Sequence, residues 1–206
     1  MDESRSCDVF CDFTCPWVYQ AAIWLRAVKA VKEAALDINW RYFSLEQANS
    51  KEGPDWKVWE QPDDYPSRGL PAFRAVEAAR RQGKDAYARM HFALLEGRHE
   101  HRKDFRETED IEEIARSAGL DLDQFKRDMA DRTLLDRVVE DHTEAVGKHG
   151  VFGTPTLVFE NGSKFFVRIK APKDPQESRR IFDSLTELFV KTDAINEVKR
   201  PRPVED

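Results

Sequence analysis

Residues 7–18 read CDVFCDFTCPWV, and a change of rhythm inside them decides the fold. From Cys7 to Phe13 apolar side chains alternate, with Val9, Cys11 and Phe13 on one side and Phe10 on the other, as expected of a strand. At Thr14, Cys15 and Pro16 the alternation stops. From Pro16 the spacing turns helical: Val18, Ala22, Leu25 and Val28 share one face and Trp17, Trp24 and Val31 line a second. Only Arg26, Lys29 and Glu33 are suited to water. A helix apolar on two faces needs two covers, a sheet and some later part of the chain. Ile38, Trp40 and Tyr42 alternate within residues 37–43, completing a strand-helix-strand unit that handedness makes a right-handed parallel pair.

Further along, residues 49–71 carry four prolines and two glycines among charges, a loop anchored by Trp56 and Trp59. Helical spacing then runs over 73–97 with a break near Gly83, and over 110–117, 123–129 and 133–146. Strand signals return at 155–159 and 165–169. Between them Asn161-Gly162 predicts a tight hairpin turn, because both residues tolerate positive φ. Asp174-Pro175 opens a last helix carrying Ile181, Phe182, Leu185, Leu188 and Phe189. The order predicts an α/β fold in which residues 1–50 and 131–206 form one layered domain and residues 51–130 a helical insertion.

Composition narrows the partners. The chain has 206 residues, 40% of them hydrophobic, enough for a real core and too many for wholesale disorder. A net charge of −6 with both signs interspersed argues against a dedicated nucleic-acid partner. Lys199, Arg200 and Arg202 read as a solvated tail. No apolar run approaches the roughly 18 residues of a membrane span, and the opening MDESRSCDVF has no basic patch before an apolar stretch. A cytoplasmic protein with no membrane partner is expected. Three cysteines crowded into residues 7–15 are not a disulfide framework.

Cys15 sits where the first strand hands over to a helix, near unpaired N–H groups and the positive end of the helix dipole, a setting that favours thiolates. Pro16 suits the first helical position, where an N–H would be unpaired anyway. The competing reading is a buried structural cysteine. A second motif, Gly153-Thr154-Pro155-Thr156, places a proline at the start of a strand, where a cis bond is an option.

Cys15-Pro16-Trp17 after a first strand, a helical insertion, and Val151-Phe152-Gly153-Thr154-Pro155 before a hairpin together resemble the thioredoxin fold of DsbA-like proteins. Within that group the chain is most similar to the cytoplasmic subfamily that includes FrnE and mycothiol-dependent enzymes, whose insertion the stretch Leu70-Pro71-Ala72 to Gly83 resembles. The resemblance spans nearly the whole chain. It implies a cis Pro155 opposite Cys15, with the Thr154 backbone free to pair with an extended thiol ligand or peptide. It also implies a thiol-disulfide oxidoreductase in which Cys15 is the nucleophile and Pro16, Trp17, Thr154 and Pro155 seat the substrate.

The departure from the family pattern is Val18, which stands where a second cysteine would complete Cys-Pro-Trp-Cys. At extended spacing Cys11 lies about 13 Å from Cys15, against the roughly 7 Å a disulfide allows, and Cys7 lies farther. Neither is expected to resolve a mixed disulfide. An external thiol, glutathione or mycothiol, is then the expected co-substrate, with no tightly bound cofactor and no metal. Its substrates would be small thiols or disulfides, or a protein thiol. Two further readings stay open. Kappa-class glutathione transferases and 2-hydroxychromene-2-carboxylate isomerases are similar in fold and also lack the full cysteine pair, implying a thiol-dependent transferase or isomerase. A redox-inactive binding module is the other.

Asp12 and Tyr19 are candidate proton partners of Cys15. His99, Glu100, His101 and Glu96 read as a solvated charged segment rather than metal ligands, because His99 and His101 point apart on a helix. His91, His142 and His149 read as packing or surface residues, with one of them a candidate to line the groove. Trp17, Trp24, Trp56, Trp59 and Phe92 read as core between insertion and sheet, and Trp17 with one of the loop pair as candidate pocket walls.

Overall fold

The computed structural model describes residues 5–32 and 36–199. Glu33, Arg200 and Arg202 of the sequence reading lie outside those residues. Strand β1 (Arg5–Cys11) is central in a four-stranded sheet of order β2-β1-β3-β4. It pairs in parallel with β2 (Leu36–Tyr42), matching Val9 with Trp40 and Cys11 with Tyr42. On its other side it runs antiparallel to β3 (Thr156–Phe159), with Val9 against Leu157. The edge is β4 (Lys164–Phe166), a shorter strand than the 165–169 expected, antiparallel to β3.

The strand-to-helix change at residues 12–16 is sharper than the alternation suggests. Strand β1 ends at Cys11, and residues 12–15 form a turn closed by the Cys15 N–H donating to the Asp12 carbonyl at 3.0 Å. Extended spacing therefore overstates the Cys11 to Cys15 separation. Both side chains are buried in one apolar cluster with Phe13 and Val18.

Helix α1 (Pro16–Lys32) receives its two covers. Leu25 and Val28 face Cys7 and Val9 on the sheet. The second cover is α8 (Pro175–Phe189), begun by the Asp174 side chain accepting from the Gln176 N–H and by Pro175 in its first turn. Trp24 joins the two helices: its Nε1–H donates to the Ser178 carbonyl at 3.0 Å and its ring meets Phe182 at 5.9 Å. Trp24 thus belongs between α1 and α8 and not against the insertion, because it lies two turns beyond Trp17 on the same face of α1, where α8 and not the insertion core packs. Trp24→Ala would cost about 3–5 kcal/mol.

Beyond β2, α2 (Leu45–Ala48) is capped by the Ser44 hydroxyl, and a 3-10 turn at Val58–Glu60 interrupts the proline-rich loop. The helical block is α3 (Leu70–Arg81), α4 (Lys84–His99), α5 (Thr108–Ser117) and α6 (Leu122–Met129). Helix α3 starts three residues earlier than the periodicity suggests because Pro71 fits a first turn. Gly83, at φ 110°, makes the break between α3 and α4. Phe73, Met90 and Leu94 of the block share one core with Phe13, Val18 and Tyr42. The helix expected over 133–146 is divided: Asp131 caps a 3-10 turn at Arg132–Leu135, and α7 follows at Asp136–Gly147. Its Ala145 covers Phe10 and Phe43 on the second face of the sheet.

At the hairpin only Gly162 takes positive φ, at 83°. The Gly162 N–H donates to Phe159 O at 2.8 Å and the Phe159 N–H to Ser163 O at 2.9 Å. This is a turn ending in a left-handed glycine, one residue longer than the tight form that needs both Asn161 and Gly162 left-handed.

Candidate functional site

Parallel pairing of β1 and β2 brings the ends of both strands to one edge of the sheet, and β3 starts at that same edge. Cys15 follows β1 there and caps α1, its carbonyl accepting from Val18 N–H at 3.1 Å. The residue is only 5% exposed. Its Sγ–H donates to the Thr154 carbonyl at 3.4 Å. The Thr154–Pro155 peptide is cis. The loop that carries it is held by Val151 N–H to Ala145 O at 2.9 Å and by Thr156 Oγ1–H to Gly153 O at 2.8 Å. Two motifs 139 residues apart thus meet at one sulfur.

Pro16 is exposed, Trp17 half-buried and Val18 fully buried, so the two residues after Cys15 keep contact with solvent while Val18 fills the core. Phe152, three residues before Pro155, is 76% exposed, its ring 5.2 Å from Phe166. The Thr154 hydroxyl is buried without a hydrogen-bond partner.

Asp12 is buried, and its carboxyl oxygens are occupied by the turn. Oδ1 accepts from Thr14 N–H at 2.7 Å and Thr14 Oγ1–H at 2.6 Å, and Oδ2 accepts from Leu45 N–H at 2.7 Å. Burial raises its pKa above the usual carboxylate value, and these bonds oppose the rise. Among the described residues no hydrogen bond joins this carboxyl to the Cys15 sulfur. The Tyr19 hydroxyl donates to Glu100 Oε1 at 2.9 Å, and burial with that carboxylate pushes its pKa up to about 12. Burial likewise pushes the Cys7 thiol up to about 12, with Asp8 and Asp37 adding to it. The Cys11 thiol is raised by burial and then by Asp12, Asp141 and Cys15.

The segment read as solvated lies against this site. His99 Nε2 is 3.0 Å from the Phe13 carbonyl, and its ring stacks on Tyr19 with centroids 5.6 Å apart and planes 18° apart. Burial lowers its pKa from 6.5. The sequence carries a signal for this: His91, Leu95 and His99 recur every four residues, one inward stripe of α4. His91 is buried beneath Phe13 and Trp40, and His142 is stacked on Phe43 with Nδ1 accepting from Ser44 N–H at 3.1 Å. Trp59 reaches that ring at 5.3 Å, while Trp56 packs on Tyr65 at 6.1 Å. Among the described residues no group of three His, Cys, Asp or Glu is placed to hold a metal ion, and no helix is long and apolar enough to cross a membrane.

The DSBA-like thioredoxin domain model matches residues 6–174. The chain belongs to that family. Rv2286c of Mycobacterium tuberculosis is 29% identical over 170 residues, 82% of this chain and 70% of that protein. The Na(+)/H(+) antiporter NhaA 3 of Salinispora tropica is 32% identical over 155 residues, 75% of this chain, which spans only 20% of that longer protein. Among solved structures, the cytosolic disulfide reductase DsbM of Pseudomonas aeruginosa with GSH superposes with a TM-score of 0.59 at 17% identity, covering 88% of this chain and 99% of that one. The DsbA-like fold is shared with that protein, and the helical block stands between β2 and β3 of the sheet.

Proposed function

We propose that this DsbA-like protein is a thiol-disulfide oxidoreductase working through one cysteine, Cys15 in Cys15-Pro16-Trp17-Val18, and returned to its starting state by an external thiol. The carrying observation is the Cys15 sulfur at a helix N-terminus, 3.4 Å from the carbonyl that precedes a cis proline. The thiolate of Cys15 is the attacking form. The thiolate attacks one sulfur of a substrate disulfide, forming a mixed disulfide on Cys15 and expelling the other half as a thiolate. An incoming thiolate then attacks the substrate sulfur of that mixed disulfide, takes the substrate as a new disulfide and releases the Cys15 thiolate, so no net oxidant or reductant is consumed. With Val18 buried where a resolving thiol would stand, this exchange replaces internal resolution.

Thr154 and Pro155 would seat the substrate from one side, and Pro16 and Trp17 from the other. Asp12 serves as a brace of the turn, its oxygens committed to Thr14 and Leu45. The co-substrate is a low-molecular-weight thiol such as glutathione or mycothiol, the substrates small or protein disulfides, and the setting cytoplasmic. DsbM, the similar fold, was solved with GSH. The near-complete burial of Cys15 favours a second reading, a transferase or isomerase that holds a small thiol in the same groove. The test is turnover of a mixed disulfide of cysteine with glutathione or with mycothiol. Oxidoreductase action requires added free thiol and is lost in Cys15→Ser. Transfer of the thiol to an electrophile without disulfide exchange would establish the second reading.

A further inference from the structure

We propose that His99, at the end of insertion helix α4, is a positioning residue that holds the Cys15 turn in place, so the insertion sets the placement of the reacting sulfur. The inference rests on the reading of Cys15 as the reacting thiol. The turn over residues 12–15 spends its own hydrogen bonds on the Asp12 carbonyl and the Asp12 carboxyl, which accept from Cys15 N–H and Thr14 N–H. The Phe13 carbonyl points at the insertion and meets His99 Nε2 at 3.0 Å. A carbonyl only accepts, so Nε2 carries the proton and donates. The same imidazole lies flat on Tyr19, one helical turn beyond Cys15 and on its face of α1. The Tyr19 hydroxyl is anchored to Glu100, the residue after His99. Two neighbouring residues of the insertion therefore grip the chain on both sides of Cys15, at Phe13 and at Tyr19.

The gripping end of α4 is itself held. Glu100 N–H donates to Glu96 O at 2.8 Å and Lys103 N–H to Gly97 O at 2.9 Å, around Arg102 in the left-handed region at φ 57°. A Cβ on Gly97 would come within 2.8 Å of Ile114 Cδ1, so α5 packs directly on the last turn of α4. Position passes from α5 through the α4 end to the Phe13 carbonyl and so to the sulfur beside Thr154. Loss of the His99 donor frees the Phe13 carbonyl to rotate and the turn to shift, and displacements of about 1 Å can cost a reacting group up to about a hundredfold.

The test measures the rate of Cys15 carbamidomethylation by iodoacetamide at neutral pH, with peptide mapping, in His99→Phe and His99→Gln. Phenylalanine keeps a flat ring on Tyr19 and removes the donor; glutamine restores a donor at similar reach. His99→Leu provides the same deletion should phenylalanine not be accommodated. We expect the donor-deleting variant to alkylate Cys15 about fivefold or more slowly at an unchanged melting temperature, and His99→Gln to stay within about twofold of the wild type. A donor-deleted variant that reacts like the wild type, or a glutamine variant that falls as far, overturns the assignment. A wild type that shows no selective labelling of Cys15 instead removes the oxidoreductase reading beneath it.

Discussion

His91 supplies the sharpest stability prediction. Its ring is buried among Phe13, Trp40 and Tyr87, at centroid distances of 5.1, 4.5 and 6.0 Å, and neither ring nitrogen has a hydrogen-bond partner. Burial lowers its pKa from 6.5 to about 3, with Arg80 adding to the shift. The folded state holds His91 neutral while the unfolded chain takes up a proton below about pH 6.5. The contribution to stability is therefore full above that pH and falls as the pH drops toward 3. Between pH 7 and pH 5 the loss at this one residue comes to about 2 kcal/mol. His91→Leu keeps similar volume, removes both unsatisfied nitrogens and removes the titration. It should be about 1–3 kcal/mol more stable than the wild type at pH 7, and the gap should widen by about 2 kcal/mol at pH 5. Urea unfolding followed by tryptophan fluorescence at both pH values measures this. A variant less stable at pH 7, with a pH dependence parallel to the wild type, would refute the account of His91 as an unpartnered neutral imidazole.

Val18→Cys should restore an internal resolving thiol. Oxidised with a small disulfide, the variant should lose two hydrogens in its mass spectrum as Cys15 bonds to the introduced thiol, and no such product would mean that helix α1 does not present the two sulfurs together. Arg41 bridges Asp8 and Glu144 and bonds Asp141, a carboxylate with almost no exposure. Arg41→Met should cost up to about 3–5 kcal/mol in urea unfolding, because it leaves that charge only the Tyr42 N–H and a longer contact to Arg137; a cost below about 1 kcal/mol would show that the network stabilises nothing. Asp12→Asn should leave the pH profile of Cys15 alkylation in place while lowering the melting temperature, since the residue braces a turn; a profile that loses an inflection would restore Asp12 as a proton partner.

Much of this molecule is legible in its pattern because period two and period 3.6 report which faces are buried. The doubled apolar stripe of α1 asks for a second cover, and α8 supplies it. The pairing of Cys15 with Thr154-Pro155 is legible only through family resemblance, since nothing local links positions 139 residues apart. Other features are beyond a one-dimensional reading. Spacing alone treats residues 11–15 as extended because it does not reveal the turn closed by Cys15 N–H and Asp12 O. His99 and Glu100 look solvated in the sequence because their partners, the Phe13 carbonyl and the Tyr19 hydroxyl, lie about eighty residues earlier. The four-residue spacing of His91, Leu95 and His99 marks an inward stripe, but nothing in it names the segment that comes to meet His99.

The central claim is that Cys15 is the reacting thiol and that Cys7 and Cys11 are held as inert buried thiols. Its most direct test exposes the reduced protein to oxidised glutathione and oxidised mycothiol near neutral pH, following intact mass and mapping peptides across residues 7–15. The account predicts a fast, reversible single adduct on Cys15, with one of the two thiols preferred. No adduct, or equal slow labelling of Cys7, Cys11 and Cys15, would contradict it and leave a redox-inactive binding module as the better description.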